Sequence, residues 1–121
     1  MRMTGILASL LVGLLQSPAH AVCAAIPWWI PYWGSNSSTT LEVSSGESCE
    51  LNANTGGTNI IESLRITSTP SNGTATIGQG NGTWYQSAAG FTGQDGFAFA
   101  VTGSGPGGSG ISTVQVTVTV R

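Results

Sequence analysis

Few residues in this chain can do chemistry, and their positions decide how much. His20 is the only histidine, and lysine is absent. The carboxylates are Glu42, Glu47, Glu50, Glu62 and Asp95, set against Arg2, Arg65 and Arg121. A Ser-His-Asp or Cys-His centre needs an imidazole near neutral pKa to take the nucleophile's proton, so the fate of His20 decides whether that chemistry is open. Two thiols, Cys23 and Cys49, can form a disulfide or serve as reactive groups. Trp28, Trp29, Tyr32 and Trp33 stand between and beside Pro27 and Pro31. Clustered rings of this kind stack on sugar rings and apolar surfaces, because they bring large area at low entropy cost.

His20 falls in a segment with another purpose. Residues 1–21 read as a secretory signal peptide: Arg2 gives a positive start, Gly5 to Leu15 is an apolar run, and Ala19-His20-Ala21 is a small-x-small cleavage site. Retention as a membrane anchor is the weaker alternative, since the run covers about 16 Å of a hydrocarbon core of about 30 Å. Lipidation at Cys23 is disfavoured by the bulky Val22 before it. Cleavage leaves residues 22–121 with neither His nor Lys, which closes imidazole-based nucleophilic catalysis, histidine zinc sites and Schiff-base chemistry. A carboxylate pair of the glycosidase kind remains, but four glutamates near turns and on polar faces are explained more simply as solubilising and edge-protecting groups. With a formal net charge of −2 and no basic face, the chain is not equipped to bind nucleic acid. In an oxidising compartment the natural reading of Cys23 and Cys49 is a structural disulfide. The alternative is a reactive pair, although neither has a basic sequence neighbour to lower its pKa. Pairing them closes a loop of about 27 residues, worth roughly 3 to 4 kcal/mol by chain-entropy reasoning.

The elements that must position these groups are strands. Charged residues are 7% of the chain and Gly supplies 18 positions, so the polar surface is built from Ser, Thr, Asn and Gln. No segment after residue 21 holds helical apolar spacing, whereas period two recurs: Val114, Val116, Val118 and Val120 alternate with Gln115, Thr117 and Thr119. Seven strands are expected near residues 39–43, 48–52, 62–68, 74–78, 83–87, 96–102 and 111–120, a number that suits a two-sheet sandwich. Pro70-Ser71-Asn72-Gly73 and Asn81-Gly82 supply turn chemistry. Gly103 to Gly110 reads as a mobile loop before the last strand, which would offer itself for pairing with another chain if it lay at an open edge. Residues 22–38 form an aromatic and polar extension, and residues 39–121 the domain.

The stretch Leu64-Arg65-Ile66-Thr67-Ser68-Thr69-Pro70-Ser71-Asn72-Gly73-Thr74-Ala75-Thr76-Ile77 leads through Tyr85 to Gly90-Phe91-Thr92-Gly93-Gln94-Asp95-Gly96-Phe97-Ala98-Phe99 and then to Val114–Val120. In that order these elements resemble the bacterial Ig-like and cadherin-like modules of secreted and surface, adhesin-type proteins. The resemblance implies an all-β, Greek-key Ig-like sandwich of about seven strands. Gly90 and Gly93 are expected to allow a tight turn, Phe91 to plug an apolar site at the sandwich edge, and Asp95 to accept backbone N–H bonds where the next strand starts. Asp95, Phe97, Phe99 and Val101 fall at the spacing of strand F in antibody-type domains, but Phe99 lacks the hydroxyl of a tyrosine corner and Val101 replaces the inter-sheet cysteine. Many such modules bind calcium through an acidic stretch after the second strand. Here that stretch is Asn52-Ala53-Asn54-Thr55-Gly56-Gly57, so neither metal nor cofactor is expected.

Two functions follow. One is a secreted, non-enzymatic binding or structural module at the bacterial envelope or surface, with a protein or glycan partner. The alternative is carbohydrate or cell-surface recognition through Trp28, Trp29, Tyr32 and Trp33, against which stands a packing role with Ile26, Trp28, Ile30 and Trp33 folded over an open end of the sandwich.

Overall fold

The computed structural model describes residues 22–26, 28–53, 55 and 57–121; the expected signal peptide, with His20, lies outside them. Among the described residues there is no helix, and eight strands form two sheets. They are β1 (Cys23–Ala25), β2 (Asn36–Val43), β3 (Ser48–Asn52), β4 (Ile60–Ser68), β5 (Gly73–Ile77), β6 (Gly82–Ser87), β7 (Gly93–Gly105) and β8 (Gly108–Val120). One sheet has the order β1-β2-β8-β7-β4 and the other β3-β6-β5. The chain changes sheet at β2–β3, β3–β4, β4–β5 and β6–β7, so sequence-distant strands become neighbours in Greek-key fashion. The all-β Ig-like sandwich expected from the sequence is present, with one more strand than the period-two pattern showed.

Alternation builds the core. On β8, Val114, Val116, Val118 and Val120 are buried, and parallel pairing with β2 sets Thr39, Leu41 and Val43 beside the last three. From β7 come Phe97, Phe99 and Val101, and from the facing sheet Cys49, Leu51 and Tyr85. Tyr85 stacks on Phe97 with centroids 5.8 Å apart, while Trp28 meets Phe99 edge-on at 6.1 Å. In β4 a register shift between Ile61 and Ser63 inserts one residue, which keeps Ile61, Leu64 and Ile66 all facing the core despite their uneven spacing.

Two expectations are corrected. Gly103 to Gly110 is not a loop: Gly103 pairs with Gly110, Ser104 with Ser109 and Gly105 with Gly108, so β7 and β8 form one long hairpin turning at Pro106 and Gly107. Nor does β8 lie at an edge: β7 pairs with it from Gly108 to Val120 and β2 from Thr113 to Val120, so the alternating valine stretch is paired on both sides.

Candidate functional site

The start of β2, the end of β7, the start of β8 and the start of β4 lie at one end of the sandwich. The aromatic segment is laid across that end and held along its length. Cys23 of β1 is joined to the buried Cys49 of β3, with a Cα–Cα distance of 5.4 Å, so the bond ties one sheet to the other. Its sulfur is thereby committed within the fold. Ile26 N–H donates to the Thr40 carbonyl and its own carbonyl accepts from the Thr39 hydroxyl at 2.9 Å. Ile30 bridges to Thr55 and is buried. The Ser112 hydroxyl, fully buried on β8, donates to the Tyr32 carbonyl and accepts from Gly34 N–H.

Anchoring divides the four rings. Trp28 is buried against Phe99, as the packing role required of it. Trp33 is half-buried; its indole Nε1 donates to Asn59 Oδ1 at 3.2 Å, and its ring occupies the space where Gly103 would carry a side chain. Gly110, opposite Gly103, passes under the Trp33 Cβ. The glycines of this hairpin therefore serve close packing: any side chain at Gly103 would displace the indole. Trp29 and Tyr32 point outward, with 63% and 68% of their surface exposed, and Ile26 is also exposed rather than folded under.

Two recesses meet at Pro31. One, about 340 Å³, is lined by Trp28, Trp29, Pro31, Ser37 and Ser38. The other, about 420 Å³, lies between Tyr32, Trp33 and Asn59 on one side and Pro106 to Ser109 on the other. Their walls combine ring faces, hydroxyls and an amide, without an ionisable group other than the Tyr32 phenol. Asn59 and the hairpin tip are members that sequence reasoning missed. The alternation of Gly103, Gly105, Gly108 and Gly110 about Pro106-Gly107 was the available signal for the hairpin.

The motif Gly90, Phe91, Gly93, Asp95, Phe97 and Phe99 serves the fold, with its turn at the opposite end of the sandwich. Gly90 and Gly93 have φ of 81° and 130°, which L side chains resist. Phe91 is half-buried against the core. Asp95 Oδ1 accepts from Ser71 and Gly96 N–H, and Oδ2 from Asn72 N–H and the Tyr85 hydroxyl, the last at 2.8 Å. Tyr85 thus brings a hydroxyl to this end from the facing sheet, bonded to the Asp95 carboxylate. Burial alone would raise the Asp95 pKa, but the bonds from Tyr85, Gly96, Ser71 and Asn72 outweigh it and hold the carboxyl below its usual value. Burial, then the bond to Asp95 and its charge, push the Tyr85 phenol well above its ordinary range.

This arrangement of strands carries a sequence pattern that can be compared with known families. Residues 31–119 match the bacterial Ig domain. The chain belongs to that family. The match starts inside the aromatic segment, so Pro31, Tyr32 and Trp33 are part of the matched Ig domain. No curated protein matches the sequence. Among the described residues no helix is long and apolar enough to cross a membrane.

Proposed function

We propose that this Ig domain is a secreted, non-enzymatic binding module that recognises a neutral saccharide surface at the bacterial envelope through Trp29 and Tyr32. The observation that carries the reading is the exposure of these two rings on a segment fixed at Cys23, Trp28, Ile30 and Ser112. A ring carried on a backbone already fixed in place leaves less chain entropy to be lost when a sugar stacks on it. Asn59, Ser37, Ser38 and Ser109 stand at the recess walls to bond sugar hydroxyls. By strand position, the β3–β4 and β7–β8 connections correspond to the B–C and F–G loops, which in antibody variable domains lie at the antigen-binding end. That correspondence is an analogy of fold, and the chemistry of the rings is what names the ligand class. Export through residues 1–21 and oxidation of Cys23 and Cys49 fit a periplasmic, extracellular or surface location.

Retention of the exported chain on peptidoglycan, cellulose and chitin tests the reading. Binding to at least one of them is expected, and Trp29→Ala with Tyr32→Ala should weaken it at least tenfold while the circular-dichroism spectrum is unchanged. A double variant retained as well as the parent would overturn it.

A further inference from the structure

We propose a second saccharide-binding face, centred on Trp84, on the outward side of the three-stranded sheet. β6 runs between β3 and β5, and its inward residues Thr83, Tyr85 and Ser87 are buried. Trp84 therefore points out, at the middle of the face, and is 38% exposed. Glu50 is its cross-strand neighbour on β3 and Thr76 its neighbour on β5, while the next rung is Ser48, Gln86 and Thr74. Trp84 is the one large apolar side chain among these outward positions.

The site is shaped rather than incidental. A Cβ on Gly78 would lie 2.7 Å from Trp84 Nε1, so the indole uses the space that this glycine leaves. Gly82 likewise leaves room for the Glu50 carboxylate. Gln86 Nε2 donates to the Gly46 carbonyl at 2.8 Å, which fixes the amide and leaves its oxygen as a directed acceptor. Beside the ring is a recess of about 220 Å³ whose walls include the hydroxyl-bearing Ser48, Thr74 and Thr76. No hydrogen bond within the protein occupies these three hydroxyls among the described residues.

Chemistry selects the occupant. Among the described residues the face carries one carboxylate and no cation, because Arg65 is on β4 and Arg121 pairs with Glu42 beside the other sheet. Phosphorylated or acidic ligands would meet repulsion. A protein partner would bury about 800 Å² on each side around an apolar centre, and a single indole among hydroxyls does not supply one. A neutral sugar ring needs one aromatic platform with alternating donors and acceptors at its rim, and the face has both. With one site at the end of the sandwich and the other on the outer face of the three-stranded sheet, one chain engages two segments of a polymer and gains avidity without new contacts.

Residue-resolved NMR of the exported, disulfide-bonded chain tests this, with cellohexaose, chitohexaose and xylohexaose as probes. At least one sugar should shift the Trp84 indole N–H and the backbone amides of Thr74, Thr76 and Gln86 along a saturable curve. Because each tryptophan has its own indole signal, occupancy at Trp84 is read separately from occupancy at Trp29, and either proposal can fail alone. Trp84→Thr, which suits a strand, should weaken the Trp84-face isotherm at least tenfold, followed at Thr76. Thr76→Val, nearly isosteric, should weaken it severalfold with the fold intact. Absence of any shift at Trp84 with all three sugars overturns the proposal, as does a Thr76→Val or Trp84→Thr chain that binds like the parent.

Discussion

Replacing Asp95 by Asn removes one carboxylate oxygen and the charge while keeping the side chain's size. Oδ1 serves Ser71 and Gly96, and Oδ2 serves Asn72 and Tyr85. An NH2 at the Oδ1 position would face two backbone N–H groups, so the amide oxygen keeps that place and the NH2 takes the Oδ2 position, donor against the Asn72 N–H. Only the Tyr85 hydroxyl can turn and accept. One bond is lost outright and the survivors lose their charge assistance, a cost of about 2 to 3 kcal/mol. Urea denaturation at pH 7 should show a midpoint lower by roughly 1 to 2 M for a slope of about 1.5 kcal/mol/M. The pH dependence follows from the depressed Asp95 pKa: its stabilisation is complete above about pH 4, the unfolded value, and is lost as pH falls through the lower folded value. The gap between parent and variant should therefore close in acid. A double-mutant cycle with Tyr85→Phe should give a coupling of about 1 kcal/mol or more. An Asp95→Asn chain less than about 0.5 kcal/mol weaker than the parent, or a gap independent of pH, would refute the reasoning.

Other outcomes follow from the same contacts. Because the Tyr85 phenol is held neutral, its contribution to stability should be level below about pH 10, where an unfolded tyrosine ionises, and fall as pH rises beyond it. Alkaline unfolding followed by circular dichroism checks this. Cys23→Ser with Cys49→Ser should cost roughly 3 to 4 kcal/mol in denaturant titration and speed hydrogen exchange in β1, a three-residue strand whose ladder is with β2. Thr83 Oγ1 is buried without a hydrogen-bond partner among the described residues, so Thr83→Val should stabilise by about 1 kcal/mol in the same titration. Gly103→Val should expel Trp33, destabilise by about 1 to 3 kcal/mol and red-shift the tryptophan fluorescence.

Much of the sandwich was legible because its signal is local. Val114 to Val120 alternates as a strand half-buried against a core, and its inward valines are the positions the structure buries; Phe97 to Val101 alternates in residue type in the same way, but Ala98 and Ala100 between its core positions are buried as well. Strand β1 escaped because Cys23–Ala25 is too short to show a period and is held by pairing with Glu42 and its neighbours and by a disulfide to a distant strand. Gly103 to Gly110 was misread because glycine content speaks for mobility only when nothing covers the backbone. Here the Trp33 indole does, and Asn59 occupies the corresponding space at Gly105. The same long-range packing decided the aromatic segment: spacing put Trp28 and Trp29 side by side, but which ring turned into the core depended on Phe99. Asp95 was expected to meet backbone donors, yet its partner Tyr85 belongs to the other sheet, and no sequence spacing announces a contact across the sandwich.

The claim that the exposed rings are a binding site is tested most directly by a crystal structure of the disulfide-bonded chain with a hexasaccharide chosen from the retention assay. The account predicts a sugar ring stacked on Trp29 or Tyr32, with hydroxyls bonded to Asn59, Ser109 or the Ser37–Ser38 edge. A saturated crystal in which both rings remain bare would contradict it.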